Sequence, residues 1–324
     1  MIYLTGGTGL LGLHILDALR ARGERVLAVA RTGAAAATLT LRGAEPLLGD
    51  VTDPAPWREL TGVRAIVHSA AIILSRAPWA EYERVNVGST RLAVATALRL
   101  GVPLVHISSV AVYGPRLEDA AAGGVAEDFP FGPRDQGEFY ARSKRLAEDV
   151  VWEGVSRGLR AIALRPCVVY GRGDRLFMPN VLRYARTGYF PVVGPGREPM
   201  ALVEAGNVAE AVAAAVTAPP PAWGRAYNLT NDDAISVPEF VAALAQGLGR
   251  PVRPVHLPAG MALGLGSVVD WLGSVGGRQA PGIRAALRFL AGGNPFTSRA
   301  AVETLGWHPA TRHRDGIPAA LRTP

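Results

Sequence analysis

The chain opens on a short apolar run, Ile2 to Leu4, that leads directly into Thr5-Gly6-Gly7-Thr8-Gly9-Leu10-Leu11-Gly12 and then into a helical pattern. Glycines clustered between a strand and an amphipathic helix leave few folding options, because this is the context of a dinucleotide fingerprint. Gly6, Gly9 and Gly12 let the chain turn tightly and bring backbone N–H groups close to a pyrophosphate. They also let the helix pack closely on the sheet with its N-terminus toward the anion. The helix that follows carries Leu11, Ile15, Ala18 and Leu19 on one face, Arg20 and Arg22 in its last turn, and Gly23 as its stop.

The same rhythm repeats. Short apolar runs at Ile2 to Leu4, Val26 to Val29, Pro46 to Leu48, Ala65 to His68, Leu104 to Ile107 and Ala161 to Leu164 alternate with longer helical patterns, notably Tyr82 to Leu100 and Tyr140 to Arg157. Alternation of this kind predicts an α/β fold, a Rossmann-type doubly wound parallel sheet. After Gly171 the pattern changes: Pro179, Pro191, Pro195 and Pro199 punctuate an excursion over the site, before a helix from Val208 to Thr217 and a strand from Ala226 to Leu229. From Val237 onward the chain reads as helical with loops. The expected organisation is a dinucleotide-binding domain from 1–171 and 200–232, with a smaller, mostly helical substrate lobe from 172–199 and 233–324.

Composition narrows the function. At 49% hydrophobic and 19% charged, the 324 residues are those of a globular chain large enough for one domain and a lobe. The net charge of +7 comes from scattered arginines without interleaved aromatics, so no nucleic-acid partner is expected. Cys167 is the single cysteine, which rules out an internal disulfide, and the six histidines lack metal-ligand spacing, so no metal is expected. The stretch Met261 to Val275, broken by Gly264, Gly266, Asp270 and Gly273, is too short to span a membrane. The start shows no export signal, and a cytoplasmic location is expected.

Of 34 basic residues, 33 are arginine, and the one lysine is Lys144. It follows Tyr140 by four positions, so on a helix a phenol and an ammonium share one face. A neighbouring cation is expected to lower the phenol's pKa and fit it for proton exchange with a substrate hydroxyl. A compact ammonium can also donate to ribose hydroxyls, with a geometry that a guanidinium would not reproduce. Ser108 and Ser109 end the fifth strand, where open parallel sheets place their ligands, and a hydroxyl there could hydrogen-bond a reacting oxygen. Arg31, at the end of the second strand where a carboxylate would bind a ribose hydroxyl, favours a 2'-phosphate and hence NADP(H), with NAD(H) as the alternative. Asp50, in Gly49-Asp50-Val51, either reaches the adenine ring or caps the helix begun by Asp53-Pro54.

These residues resemble the extended short-chain dehydrogenase/reductases, the NAD-dependent epimerase/dehydratase family, over nearly the whole chain. The likeness also rests on His68-Ser69-Ala70-Ala71, Asn86-Val87, Ser108-Ser109-Val110-Ala111-Val112-Tyr113-Gly114, Leu164-Arg165-Pro166-Cys167-Val168-Val169-Tyr170-Gly171 and Leu305-Gly306-Trp307-His308-Pro309. The resemblance implies Tyr140 as general acid or base, Lys144 as its electrostatic partner and ribose ligand, and Ser109 as donor to the substrate oxygen, with Ser108 beside it. It implies that Gly6, Thr8, Gly9, Leu10, Leu11, Gly12, Arg31, Asp50 and Val51 line the dinucleotide. The backbone of Ala70 and Ala71 would lie on the nicotinamide side, with Pro166 to Val168 at the carboxamide end. The chain looks most like the branch of dihydroflavonol reductases and 3-beta-hydroxysteroid dehydrogenases. Val203-Glu204-Ala205-Gly206-Asn207-Val208 departs from the family's usual His- or Tyr-containing version.

The expected function is therefore hydride transfer between NAD(P) and a ketone or secondary alcohol, a small molecule of fair hydrophobicity. The alternative is a nucleotide-sugar epimerase that regenerates its NAD(P), and a third class is a non-catalytic dinucleotide sensor. The resemblance further implies a homodimer that uses the two long helices as its faces.

Overall fold

The computed structural model describes residues 1–73, 77–119, 124–132, 138–274 and 293–322. Seven parallel strands form the main sheet: β1 (Ile2–Thr5), β2 (Val26–Ala30), β3 (Glu45–Leu48), β4 (Ala65–His68), β5 (Leu104–Ile107), β6 (Ala161–Pro166) and, past three strands outside this sheet, β10 (Arg225–Leu229). Their order is β10-β6-β5-β4-β1-β2-β3, so the winding reverses between β1 and β4. Ligands of such sheets bind at that reversal, outside the carboxyl ends of the strands. All seven strands fall on or within a residue or two of the predicted apolar runs. The doubly wound parallel sheet is the expected fold.

Alternation along the strands supplies both faces of the core. Ile2 and Leu4 enter one apolar cluster with Ile15 and Leu16 of α1 (Leu10–Ala21), while Tyr3 enters the opposite cluster with Trp57 and Ile66. Around the sheet run α2 (Gly33–Leu41), α3 (Ala55–Arg58), α4 (Trp79–Tyr82), α5 (Ser89–Leu100) and α6 (Phe139–Ser156). The predicted helix over Tyr82 to Leu100 is interrupted: residues Glu83–Gly88 form a π-helical turn between α4 and α5. Such turns recur at functional sites.

A third apolar cluster lies beyond the sheet, where Tyr170, Met178, Phe190, Phe240 and Ile317 pack together. It draws on β7 (Val168–Tyr170), α7 (Phe177–Ala185), β8 (Tyr189–Val193), β9 (Leu202–Glu204), α9 (Val237–Leu248) and α12 (His313–Ala320), whereas α8 (Ala205–Val216), β11 (Arg253–Leu257), α10 (Ala259–Ser274) and α11 (Arg299–Leu305) are the other elements of this half and contribute no member to it. Phe296, Ala301 and Trp307 join the main-sheet core instead. Two parallel pairs, β7–β9 and β8–β11, were not expected from the sequence. Pro191 and Pro254 interrupt the apolar pattern of the second pair, which is tolerated because each strand there has a free edge. Helix α8 starts three residues earlier than expected because the Glu204 carboxylate accepts the Asn207 N–H at 3.1 Å and caps it. Among the described residues no helix is long and apolar enough to cross a membrane.

Candidate active site

The glycine loop is shaped by close approach. A Cβ on Gly12 would lie 2.0 Å from the Gly6 carbonyl oxygen, and one on Gly6, at φ +71°, would lie 2.8 Å from the Ala70 nitrogen. Helix α1 is capped at Gly9 with no side-chain hydrogen bond and no acidic residue in its first turn, so its leading N–H groups stay open to an anion. Gly9 itself closes the turn, donating to Gly6 at 3.0 Å. This cradle fits a dinucleotide pyrophosphate, with Thr8, Leu10 and Leu11 contributing backbone at its rim.

Beside it, Thr5 ties β1 to β4. Its hydroxyl oxygen accepts the Ser69 and Ala70 N–H groups, both at 3.1 Å, and lies 2.8 Å from His68 Nδ1. The Ser89 hydroxyl donates to the Val85 carbonyl, so it accepts from His68 Nε2 at 3.1 Å, and Nδ1 in turn accepts the Thr5 hydroxyl. Burial, with Lys144 nearby, brings the His68 pKa down to about 3, which keeps the ring neutral. Asn86, in the π-helical turn, accepts from the Ile72 N–H at 2.8 Å and donates to the Ile72 carbonyl at 3.1 Å and to Ser143 at 2.9 Å. It thereby joins the Ala70-Ala71 strand end to α6. The sequence motif marked Asn86 without revealing this task.

Tyr140 and Lys144 share a face of α6, as the spacing predicted. The Tyr140 and Ser109 side chains come together at the end of β5, and both residues are half-buried. Burial pushes the Tyr140 phenol up to about 12, against the lowering pull of Ser109. This corrects the expectation of a phenol lowered by its cation: desolvation dominates, the opposing pull comes from Ser109 and not from Lys144, and Tyr140 holds its proton. Lys144 is 3% exposed and donates to the Ile107 carbonyl at 2.7 Å. Burial brings its pKa down to about 8, with Glu148 acting in the opposite direction.

The two serines part company. Ser109 is half-buried beside Tyr140, whereas Ser108 is 2% exposed and turns the other way to donate to Glu148. The structure thus does not bring Ser108 to the substrate side. Glu148, one turn past Lys144, also accepts Arg165 at 2.9 Å on one oxygen and 2.7 Å on the other. Arg165 continues to the Tyr113 hydroxyl at 2.9 Å, and that hydroxyl donates to Asn228 at 2.8 Å. Sequence reasoning missed Glu148, although Tyr-x3-Lys-x3-Glu repeats a helical face and would have flagged it.

At the carboxyl end of β2 Arg31 is exposed beside the start of α2, whose N-cap Thr32 accepts the Ala35 N–H at 3.2 Å. Asp50 accepts the Thr52 N–H and hydroxyl, each at 2.8 Å. Burial alone would raise its pKa, but Thr52 and the cations Arg31 and Arg84 bring it below the usual range. Capping of α3 falls to Asp53, which accepts the Ala55 N–H at 2.9 Å, so Asp50 does not serve that helix. Val51 is buried behind Asp50. Pro166 and Val168 flank the step from β6 to β7, where Cys167 donates its N–H to Leu229 at 2.9 Å. Burial pushes the Cys167 thiol up to about 12, which leaves it unsuited to nucleophilic work. Glu204, in the stretch that departs from the family pattern, is spent on capping α8.

The sequence pattern of the NAD dependent epimerase/dehydratase family matches residues 2–230. The chain belongs to this family. Among curated relatives, a 4-hydroxy-2-methyl-3-oxo-4-farnesyl-3,4-dihydroquinoline-1-oxide ketoreductase of Stigmatella aurantiaca is 30% identical over 98% of this chain and 94% of its own length. A 2-alkyl-3-oxoalkanoate reductase of Stenotrophomonas maltophilia is 30% identical over 77% of this chain and 76% of its own. The fold is shared with UDP-glucuronic acid 4-epimerase from Bacillus cereus in complex with NAD, at a TM-score of 0.75 and 17% identity, covering 99% and 97% of the two chains. As a member of the family, the protein is an NAD(P)-dependent enzyme, an oxidoreductase or an epimerase.

Proposed function

We propose that the protein is a carbonyl reductase that uses NADPH to reduce a ketone carried on a largely apolar body. The observation that carries this reading is the Tyr140–Ser109 pair at the end of β5, with the phenol held in its protonated form. A protonated phenol is what reduction needs, because the carbonyl oxygen must receive a proton as its carbon receives hydride. When bound, the nicotinamide supplies that hydride. Ser109 orients the substrate oxygen, Tyr140 Oη delivers the proton, and the Lys144 ammonium stabilises the phenolate left behind. The ketoreductase relatives over most of the chain support the direction of reaction and the apolar substrate. In Tyr140→Phe, turnover is expected to fall roughly 10²- to 10⁴-fold with cofactor affinity retained. Intact turnover in that variant would refute the proton donor, and turnover of a nucleotide sugar with no net change in reduced-nicotinamide absorbance would replace reduction by epimerisation.

Arg31 supports the choice of NADPH. It is exposed one residue before Thr32, the N-cap of α2, where a 2'-phosphate would meet a cation beside the helix N-terminus. NADPH is expected to bind about tenfold tighter than NADH by titration calorimetry, and Arg31→Ala to bring the two close to parity. Equal affinities in the unaltered protein would refute this choice.

A further inference from the structure

The proton donor and its lysine occupy the first two turns of one face of α6, and a third charged side chain follows on the same face. Lys144 lies in a dry pocket. Tyr140 and Glu148 face it from its own helix, His68 from β4 and His106 from β5, while Arg165 of β6 stands behind Glu148 with Tyr113 beyond. Both imidazoles are neutral, His68 at about 3 and His106 held well below its ordinary range by burial and Lys144. Glu148 is therefore the anion that faces the buried ammonium, and it is 1% exposed. Its carboxylate is fixed by three bonds, two from Arg165 and one from Ser108. Arg165 is 2% exposed and remains charged, since its bonds to Glu148 and Tyr113 more than offset the cost of its burial.

We propose that Glu148 is a positioning residue for the reaction: locked by Arg165 and Ser108 one turn behind Lys144, it keeps that buried side chain an ammonium, and Arg165 sets how strongly it does so. The arrangement is a graded counter-charge. A carboxylate alone would pair with the lysine and draw it off the end of β5. One already claimed by a guanidinium leaves Lys144 bonded to the Ile107 carbonyl while still favouring its charge. The inference rests on the reading of Lys144 as the working ammonium of the reductase.

The sequence offers a direct test, because Lys144 is the only lysine in the chain. Protein labelled with [ε-¹³C]lysine gives a single lysine resonance, and its titration reports Lys144 with no substrate present. The unaltered protein is expected to titrate near 8. Glu148→Gln, which leaves the Arg165 cation in place, is expected to move the midpoint down by about one pH unit. Glu148→Gln combined with Arg165→Met removes both charges and is expected to fall between the two. That double variant also covers a poorly folding single variant, because replacing a buried ion pair by uncharged groups is often tolerated. A merely structural role predicts the opposite sign, since a loosened, hydrated lysine moves up toward its ordinary value. An unmoved or raised midpoint in Glu148→Gln overturns the proposal. Lys144→Met separates the two readings: if it keeps full ketone-reducing turnover, the ammonium's role fails whatever the titration shows.

Discussion

Ser108 and Ser109 are neighbours at the end of β5, yet they belong to two layers built on opposite terms. Ser109 stands with Tyr140 in a layer of half-buried hydroxyls. Ser108 closes a dry layer behind it, with Glu148, Arg165, Lys144, His68 and His106 each no more than 3% exposed. In the proposed reaction the front layer holds the groups that orient and protonate the substrate oxygen. The rear layer holds charges and neutral rings that set the electrostatics those groups work in, and its cost is borne by the fold.

The largest effect that would sharpen this contrast is acid sensitivity of the rear layer. The His68 pKa in the fold, about 3, lies below its ordinary 6.5 because burial opposes the charged ring. The unfolded chain therefore binds more protons than the native one below pH 6.5, and stability falls as pH drops from there toward 3, by roughly 4 kcal/mol for this ring alone. His106 adds to the loss, and neither of its ring nitrogens has a hydrogen-bond partner among the described residues. His106→Leu is thus expected to keep or raise stability at neutral pH and to shift acid unfolding, followed by circular dichroism, to lower pH. An unchanged acid midpoint would break the picture of a layer maintained by neutral imidazoles.

Smaller effects divide the two serines. Ser109→Ala is expected to lower kcat/KM about 10²-fold with thermal stability nearly unchanged. Ser108→Ala is expected to cost about 1–2 kcal/mol of stability, seen in chemical denaturation, while leaving the rate within a few-fold. Reversal of that pattern would mean that the layers have been assigned the wrong way round.

The sequence displayed the front layer more openly than the rear. The glycine loop, Tyr140, Lys144 and Ser109 could be read because each depends on local spacing beside a strand end, and the six leading strands were legible as apolar runs. The rear layer is assembled from residues 17 to 63 positions apart, such as Arg165 with Glu148 and His68 with Thr5, and no local pattern announces those pairings. The raised phenol of Tyr140 was illegible for a related reason: spacing reveals the cation but not the burial, and burial prevails. The strand pair β8–β11 was hidden by prolines, and Glu204 stood in the sequence only as part of a departure from the family pattern, its capping bond depending on where α8 begins.

The π-helical turn at Glu83–Gly88 gives chain length itself a meaning. Each residue of an ordinary helix rotates its side chain by roughly 100°, so the extra residue held in that turn sets the direction in which Asn86 points. Pointed as it is, the Asn86 amide meets both the N–H and the C=O of Ile72, as the edge of a neighbouring strand would. The chain end past β4 is thus extended by a side chain posing as backbone. Its alignment depends on a count of residues as much as on their identity, so deleting a residue of this turn other than Asn86 would turn the amide away from Ile72 while leaving every named group of the site in the sequence.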